Sequence, residues 1–323
     1  FSLCCNSRFA AFIAASRLTT SPTRFMPPHT TTQKPPYPWQ IDFFLMAAMW
    51  GASFLFMHEA APEFGAIGVA AGRVGIAALM LLPLALARGL GAAMVIHWRA
   101  IAAVGLFNAA IPFACYAFAL LYIPTGITSI LNATTPMFTA CVAWLWLGQR
   151  PSKLRLLGLV IGFIGVALLT SSKSLPAGQT AAQGSSQLLA MLACLLATLC
   201  YGIAASASKK YLSGVPALAV AAGSNLWAFA LLLVPTLIWG PRHMPSQHAW
   251  LALAAVGVFC TGIAYVLYYR LIQSTSPALA STVTYLVPVF ALLYGRVFLQ
   301  EQITPAMLGC GAIIVLGTAL STL

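Results

Sequence analysis

Charge is what this chain has least of. Only 6% of its 323 residues are Asp, Glu, Lys or Arg, and only four are acids. Soluble domains carry about 25% charged residues. A chain so poor in polar surface cannot face water all round, which excludes an ordinary soluble enzyme or binding module. None of the four acids, Asp42, Glu59, Glu63 and Glu301, falls in the middle of an apolar block, so no carboxylate pair is expected at depth. The eight cysteines show no CxxC or other metal-ligand spacing. Cys115, Cys141, Cys194, Cys200, Cys260 and Cys310 lie in apolar segments and read as small core residues. His243 and His248 stand in a loop with neither Cys nor acid beside them. No metal, cofactor or catalytic residue is assigned, and an intramembrane enzyme is disfavoured.

What fills the chain instead is apolar. Hydrophobic residues make up 61%, and the mean hydropathy is +0.91. The solvent that fits is a bilayer. The net charge of +12 is spread thinly between apolar blocks, which points to membrane topology rather than to nucleic acid. Residues 1–38 stand apart: they are rich in Ser, Thr and Pro, carry Arg8, Arg17, Arg24 and Lys34, and have no acid. They read as a disordered basic tail with features of a transit peptide, and Met26 is a plausible true start.

From residue 40 onward ten blocks are long enough to cross about 30 Å of hydrocarbon. They lie near 40–57, 65–87, 99–121, 125–147, 155–170, 187–208, 216–239, 249–270, 277–299 and 304–322. The polar stretch 173–186 is the expected linker. Lys and Arg gather at the joints on the side of the tail (Arg88, Arg99, Arg150, Lys153, Arg155, Lys209, Lys210, Arg270), which places both termini in the cytoplasm.

The blocks repeat. Trp98–Phe107 (WRAIAAVGLF) returns as Trp250–Phe259 (WLALAAVGVF), a shift of 152; Pro136-Met137-Phe138 returns as Pro288-Val289-Phe290, and Tyr116 as Tyr268. Val69–Gly72 returns as Val220–Gly223, and Trp50-Gly51 as Tyr201-Gly202, a shift of 151. Each copy holds five crossings. Five is odd, so the second copy enters the membrane from the opposite face. The expected fold is an all-α membrane protein of ten transmembrane helices, two inverted five-helix repeats over 39–172 and 187–323. Such repeats recur in secondary transporters, with the substrate site between them near the midplane.

Trp50-Gly51-Ala52-Ser53-Phe54, the run from Pro136 to Phe138 with Leu145-Trp146-Leu147-Gly148-Gln149, and Leu299-Gln300-Glu301-Gln302-Ile303-Thr304 with Gly309 and Gly317 carry a further resemblance. Together they resemble the EamA-like, ten-helix branch of the drug/metabolite transporter superfamily. The resemblance covers 40–323. It implies an exporter or exchanger of small metabolites, often amino acids, with a cavity lined mainly by helices one, three, four, six, eight and nine. The family pattern has Leu-Gly-Glu after the fourth and ninth helices. Here Glu301 keeps that acid and Gln149 replaces the other; the acid reads as a helix-end or loop contact.

The candidate substrate-binding residues are the few polar or aromatic groups inside the crossings: Trp50, Arg73, Asn108, Asn132, Tyr201, Tyr265 and Tyr285. Arg73 at a helix centre costs about 2.5–3.5 kcal/mol on insertion scales. It reads either as an anion contact or as a structural Arg near the outer interface paired with Glu59 or Glu63, and the sequence favours the second. Asn108 and Asn132 fit a zwitterionic substrate and equally an interhelical clamp. Trp50 and Tyr201, as repeat mates, are expected to face each other across the centre. Pro136 and Pro288 are expected mid-helix hinges. Gly65, Gly68, Gly72 and Gly75 share one helix face and read as a close-packing stripe.

The expected function is secondary transport of small metabolites by alternating access in the cell (inner) membrane. Without a mid-membrane carboxylate, it works as a facilitator, an exchanger, or through the substrate's own charge. Expected partners are the lipid bilayer and a small-molecule substrate, with no nucleic acid, and the protein acts as a monomer or homodimer. The alternative is a non-transporting membrane scaffold or sensor subunit.

Overall fold

In hydrocarbon every backbone N–H must find its carbonyl within the segment, so apolar blocks of this length become helices. The computed structural model describes residues 38–171, 181–241, 243–275 and 282–322; among these residues there is no strand. The expected tail up to residue 37 and most of the expected linker lie outside them.

The helices are α1 (Trp39–Ala87), α2 (Trp98–Ala119), α3 (Thr125–Leu147), α4 (Lys153–Ser171), α5 (Ala181–Tyr211), α6 (Ala217–Trp239), α7 (Gln247–Gly257, continuing to Ser274), α8 (Thr282–Phe298) and α9 (Pro305–Thr322). A short helix, Gly91–Ile96, precedes α2. Among the described residues eight helices are long and apolar enough to cross a membrane, and the apolar α8 is shorter.

At 1.5 Å per residue the 49 residues of α1 would reach about 74 Å, more than twice the hydrocarbon core. The helix breaks at Gly65, with φ 70° and ψ 164°. Only glycine adopts that conformation readily. A Cβ there would meet nothing within 4 Å, so the backbone and not space requires it. Gly65 is therefore no part of a packing stripe. Gly72 and Gly75 do pack closely, on Leu253 and Phe229, while the neighbour of Gly68 is Phe64 of its own helix.

Four further helices are irregular inside. In α2 the segment Leu106–Ala110 is π-helical, and in α7 so is Val258–Ile263. Leu106 and Val258 are 152 residues apart, the shift read from the sequence. The third, α3, is interrupted at Ala133 and Thr134 before resuming as Thr135–Leu147. Pro136 causes the interruption, because it cannot donate to the Asn132 carbonyl; the Thr135 hydroxyl donates to that oxygen instead, at 2.7 Å. In α8 a 3₁₀ turn, Thr282–Tyr285, precedes Val287–Phe298. Both prolines thus stand in the first turn of a second helical piece. The expectation of a mid-helix kink is corrected: each proline starts a helix whose predecessor has just ended.

The two halves of the chain hold one another by exchanged contacts. A Cβ on Gly51 would lie 2.6 Å from Phe290 Cβ, and one on Gly202 would lie 3.0 Å from the backbone of Phe138. Gly72 presses on Leu253 and Gly223 on Ile101, again mates on mates. The last helices of the halves, α4 and α9, meet backbone to backbone at Gly158, Gly162 and Gly317. Small residues permit that approach, which replaces the hydrophobic drive that lipid does not supply.

Candidate functional site

The two π-helical segments deliver polar side chains to one place. A π turn widens the helix by one residue and re-aims what it carries. In α7 the Thr261 hydroxyl donates to the Val256 carbonyl at 2.9 Å and accepts from Arg73 Nε at 2.8 Å. In α2 the Asn108 amide donates to the Tyr265 hydroxyl at 3.2 Å. Asn225, on α6, also meets Tyr265, and its amide nitrogen donates to the Ala221 carbonyl at 2.9 Å. Among the described residues the buried Asn225 Oδ1 has no hydrogen-bond partner.

Arg73 sits at the centre of this group, 6% exposed. Its Nη1 meets the Met57 sulfur at 3.3 Å, and its guanidinium carbon lies 3.8 Å over the Phe113 ring. Tyr201, Cys260 and Tyr265 lie within its electrostatic reach. Among the described residues no carboxylate is within ion-pair distance of it. The expectation of a partner in Glu59 or Glu63 is corrected. The break at Gly65 turns those acids away: Glu59 pairs with His248 at 2.8 Å, and Glu63 accepts from the Ser246 backbone N–H and hydroxyl.

Aromatic rings line the other side. Trp50 packs on Tyr268 with centroids 5.8 Å apart, and Tyr201 packs on Tyr116 at 6.2 Å. The expected Trp50–Tyr201 facing is corrected to this exchange, in which each ring takes the mate of the other's partner. Tyr116 donates to Asn132 Oδ1 at 2.8 Å, which is the clamp arrangement. Trp50, Asn108, Asn132, Tyr201 and Tyr265 remain partly exposed. Tyr201 and Tyr265 are half-buried and pack against the apolar core.

Tyr285 is not brought into this group. Its hydroxyl meets Thr322 Oγ1 at 2.9 Å and points to the end of α9. Met57, Phe113, Thr261 and Asn225 were not among the residues singled out from the sequence. Asn225 had a readable signal, an amide inside an apolar span like Asn108 and Asn132. Thr261 had one too: its repeat position holds Ala109, the same kind of mismatch that marks Arg73 against Ser224. Met57 and Phe113 had none.

Two clefts open elsewhere. One of about 440 Å³ is walled by Met94, Trp98, Ile101, Gly223 and Trp227, and one of about 490 Å³ by Phe64, Gly72, Phe229, His243 and Trp250. The first wall is apolar, the second is apolar apart from Thr236 and His243, and neither cleft is lined by Arg73.

A model of the EamA-like transporter family matches the chain twice, over residues 38–171 and 188–323. The chain is 22% identical over 275 residues to the uncharacterized transporter YvbV of Bacillus subtilis, covering 84% of this chain and 87% of that one. It is 28% identical over 203 residues to the uncharacterized inner membrane transporter YedA of Escherichia coli, covering 62% of this chain and 63% of that one. A probable terminal-alkyne amino-acid exporter of Streptantibioticus cattleyicolor is 27% identical over 202 residues, 62% of this chain and 64% of its own length. The last two matches therefore span less than two thirds of those relatives. A solved crystal structure shares the fold at TM-score 0.60 and 21% identity, over 87% of this chain and 95% of that one.

Proposed function

Since this chain belongs to the EamA-like transporter family, we propose that it is a secondary transporter that exports or exchanges small metabolites such as amino acids. The observation that carries this reading is the exchanged contact of the two halves around a polar centre. Trp50 meets Tyr268 while Tyr201 meets Tyr116, and a π turn on each side delivers Asn108 and Thr261. Irregular backbone at depth is tolerated where it is buried in protein or lines a cavity, and transporter sites are built from such interrupted helices. The relative described as a probable terminal-alkyne amino-acid exporter favours the same substrate class.

Ten crossings in a 5+5 inverted arrangement fit best. The Gly65 break divides α1 into two crossings, and α8 supplies the ninth. Gly65 occupies the repeat position of Pro216, in the joint between α5 and α6. Repeats of 39–172 and 187–323 then rock about the centre, opening it to each side in turn. With Arg88, Arg99, Arg150, Lys153, Arg155, Lys209, Lys210 and Arg270 at one end of the bundle, both termini lie on the cytoplasmic side of the cell membrane. Trp50, Arg73, Asn108, Asn132, Tyr201 and Tyr265 contact substrate, and Pro136 and Pro288 mark where the halves flex. Tyr285 falls outside that set.

The test is flux of labelled amino acids into proteoliposomes of the purified protein. Uptake by counterflow is expected in the native chain and its loss in a Trp50→Ala/Tyr201→Ala variant that keeps its elution profile and melting transition. A variant that folds and transports at the native rate would remove the centre from the mechanism.

A further inference from the structure

Among the described residues no carboxylate answers the buried charge of Arg73. Its Nε is committed to Thr261 and its Nη1 only to a thioether sulfur, a weak acceptor. The Phe113 face offsets part of the charge. Nη2 makes no hydrogen bond to any described residue, which leaves the Nη1–Nη2 edge of the guanidinium, the edge that receives a carboxylate in bidentate fashion. A buried cation without a counter-charge is costly to keep, and a protein that retains one has a use for it. Close by, Tyr265 gathers Asn108 and Asn225, and the buried acceptor Asn225 Oδ1 meets no donor among the described residues. The group thus offers a cationic fork and, separately, a bare acceptor.

We propose that Arg73 is the anion anchor of the transport site. It takes the carboxylate of the solute on its Nη1–Nη2 edge, displacing the Met57 sulfur, and the Asn225 Oδ1 takes a donor such as an ammonium group. The site therefore admits carboxylates, anionic or zwitterionic, and turns away organic cations, which would meet like charge in a low-dielectric interior. This assignment rests on the transporter reading above and names the solute class of that same site.

Two matched sets of solutes test it in proteoliposomes of the full chain: 3-phenylpropionate, L-phenylalanine and phenethylamine, and 4-methylpentanoate, L-leucine and 3-methylbutylamine. Within at least one set, counterflow and thermal stabilisation are expected with the carboxylate-bearing members and not with the amine. In Arg73→Gln the carboxylate flux falls tenfold or more and the ratio of amine to carboxylate flux rises; Arg73→Lys, which keeps the charge but not the fork, retains part of the flux. The ratio matters because a damaged fold lowers all fluxes alike. Amine flux without carboxylate flux in the native chain, or an unchanged ratio in Arg73→Gln, overturns the anchor and leaves the transporter reading standing. No flux of any of the six solutes overturns the anchor; the transporter reading falls only if no labelled amino acid moves in the counterflow assay above.

Discussion

The Glu301 carboxylate closes the amino terminus of the helix that begins at Thr125, 176 residues earlier in the chain. One oxygen accepts the Thr125 N–H at 2.7 Å; the other accepts the Thr125 hydroxyl at 2.9 Å and the Gly126 N–H at 3.3 Å. A helix start leaves its first N–H groups without partners and carries partial positive charge, so an acid there answers both. This is the helix-end role read from the sequence. The contact also explains Gly295, where a Cβ would lie 2.5 Å from Glu301 Oε2.

Glu301→Gln keeps one acceptor but turns an amide N–H₂ toward backbone donors. Loss of such a charged cap costs about 1–2 kcal/mol. A lower melting temperature in detergent is expected, with Glu301→Ala lower still. Equal melting of all three proteins would show that the cap contributes no stability.

The glycines give a graded prediction. Gly51→Ala places a methyl 2.6 Å from Phe290 Cβ with Ala291 N and Val287 O close behind. Gly202→Ala meets the Phe138 and Thr139 backbone at 3.0 Å. Overpacking of this kind typically costs about 1–3 kcal/mol, and Gly51 should suffer more. Gly309→Ala, with nothing within 4 Å, should be neutral or gain up to about 1 kcal/mol from helix propensity. Thermal unfolding of the three variants checks the order. If Gly51→Ala proved as stable as Gly309→Ala, the halves would not meet as closely as the Phe290 contact requires.

Much of this architecture was legible in the sequence, because length, apolar content and the 152-residue shift are properties of the chain alone. The break at Gly65 fell where a new block was expected. What escaped was the kind of backbone irregularity. Gly105 and Pro112 flank Leu106–Ala110 and Gly262 lies inside Val258–Ile263, but a breaker at those places does not by itself separate a π turn from a kink. The repeat shows that Val258–Ile263 does the same thing but not what that thing is. Pro136 was misread for a related reason: a proline in an apolar run fits a kink or a fresh start, and the turn at Ala133–Thr134 decides for the start. Arg73 found its partner Thr261 across 188 residues, a distance at which only tertiary structure speaks, while nearby Glu59 and Glu63 were carried off by the chain's bend.

The hydrogen bond from Tyr116 to Asn132 Oδ1 joins α2 to α3 inside the first half. Polar contacts within membranes are weaker than intuition holds, averaging about 0.6 kcal/mol with a maximum near 1.7. A double-mutant cycle with Tyr116→Phe and Asn132→Leu should return a coupling in that range, since each side chain is the other's partner. Tyr116→Phe also keeps the ring that packs on Tyr201, so it should alter transport less than Tyr116→Ala. Zero coupling would free Asn132 from its clamp role and strengthen its claim to substrate.

All four acids of the chain bridge its two halves. Asp42 lies 3.5 Å from Arg270 near one end of the bundle, while Glu59 with His248, Glu63 with Ser246 and Glu301 with Thr125 gather at the other. That puts three bridges at the second end against one at the first. Under alternating access these bonds must break for that end to open, so weakening them should shift the population toward opening. Ala249, fully buried beside the Ser246 cap, is a suitable reporter once the native cysteines are replaced. Ala249→Cys should react slowly with a membrane-impermeant maleimide. Adding Glu59→Gln, Glu63→Gln and Glu301→Gln should speed the reaction; a shift of about 1.4 kcal/mol in the equilibrium would give a tenfold rise. Asp42→Asn acts at the far end and should not speed it. Labelling that stays slow in the triple variant would mean that apolar packing such as Phe64 on Trp250, with centroids 4.8 Å apart, keeps that end closed without help from the carboxylates.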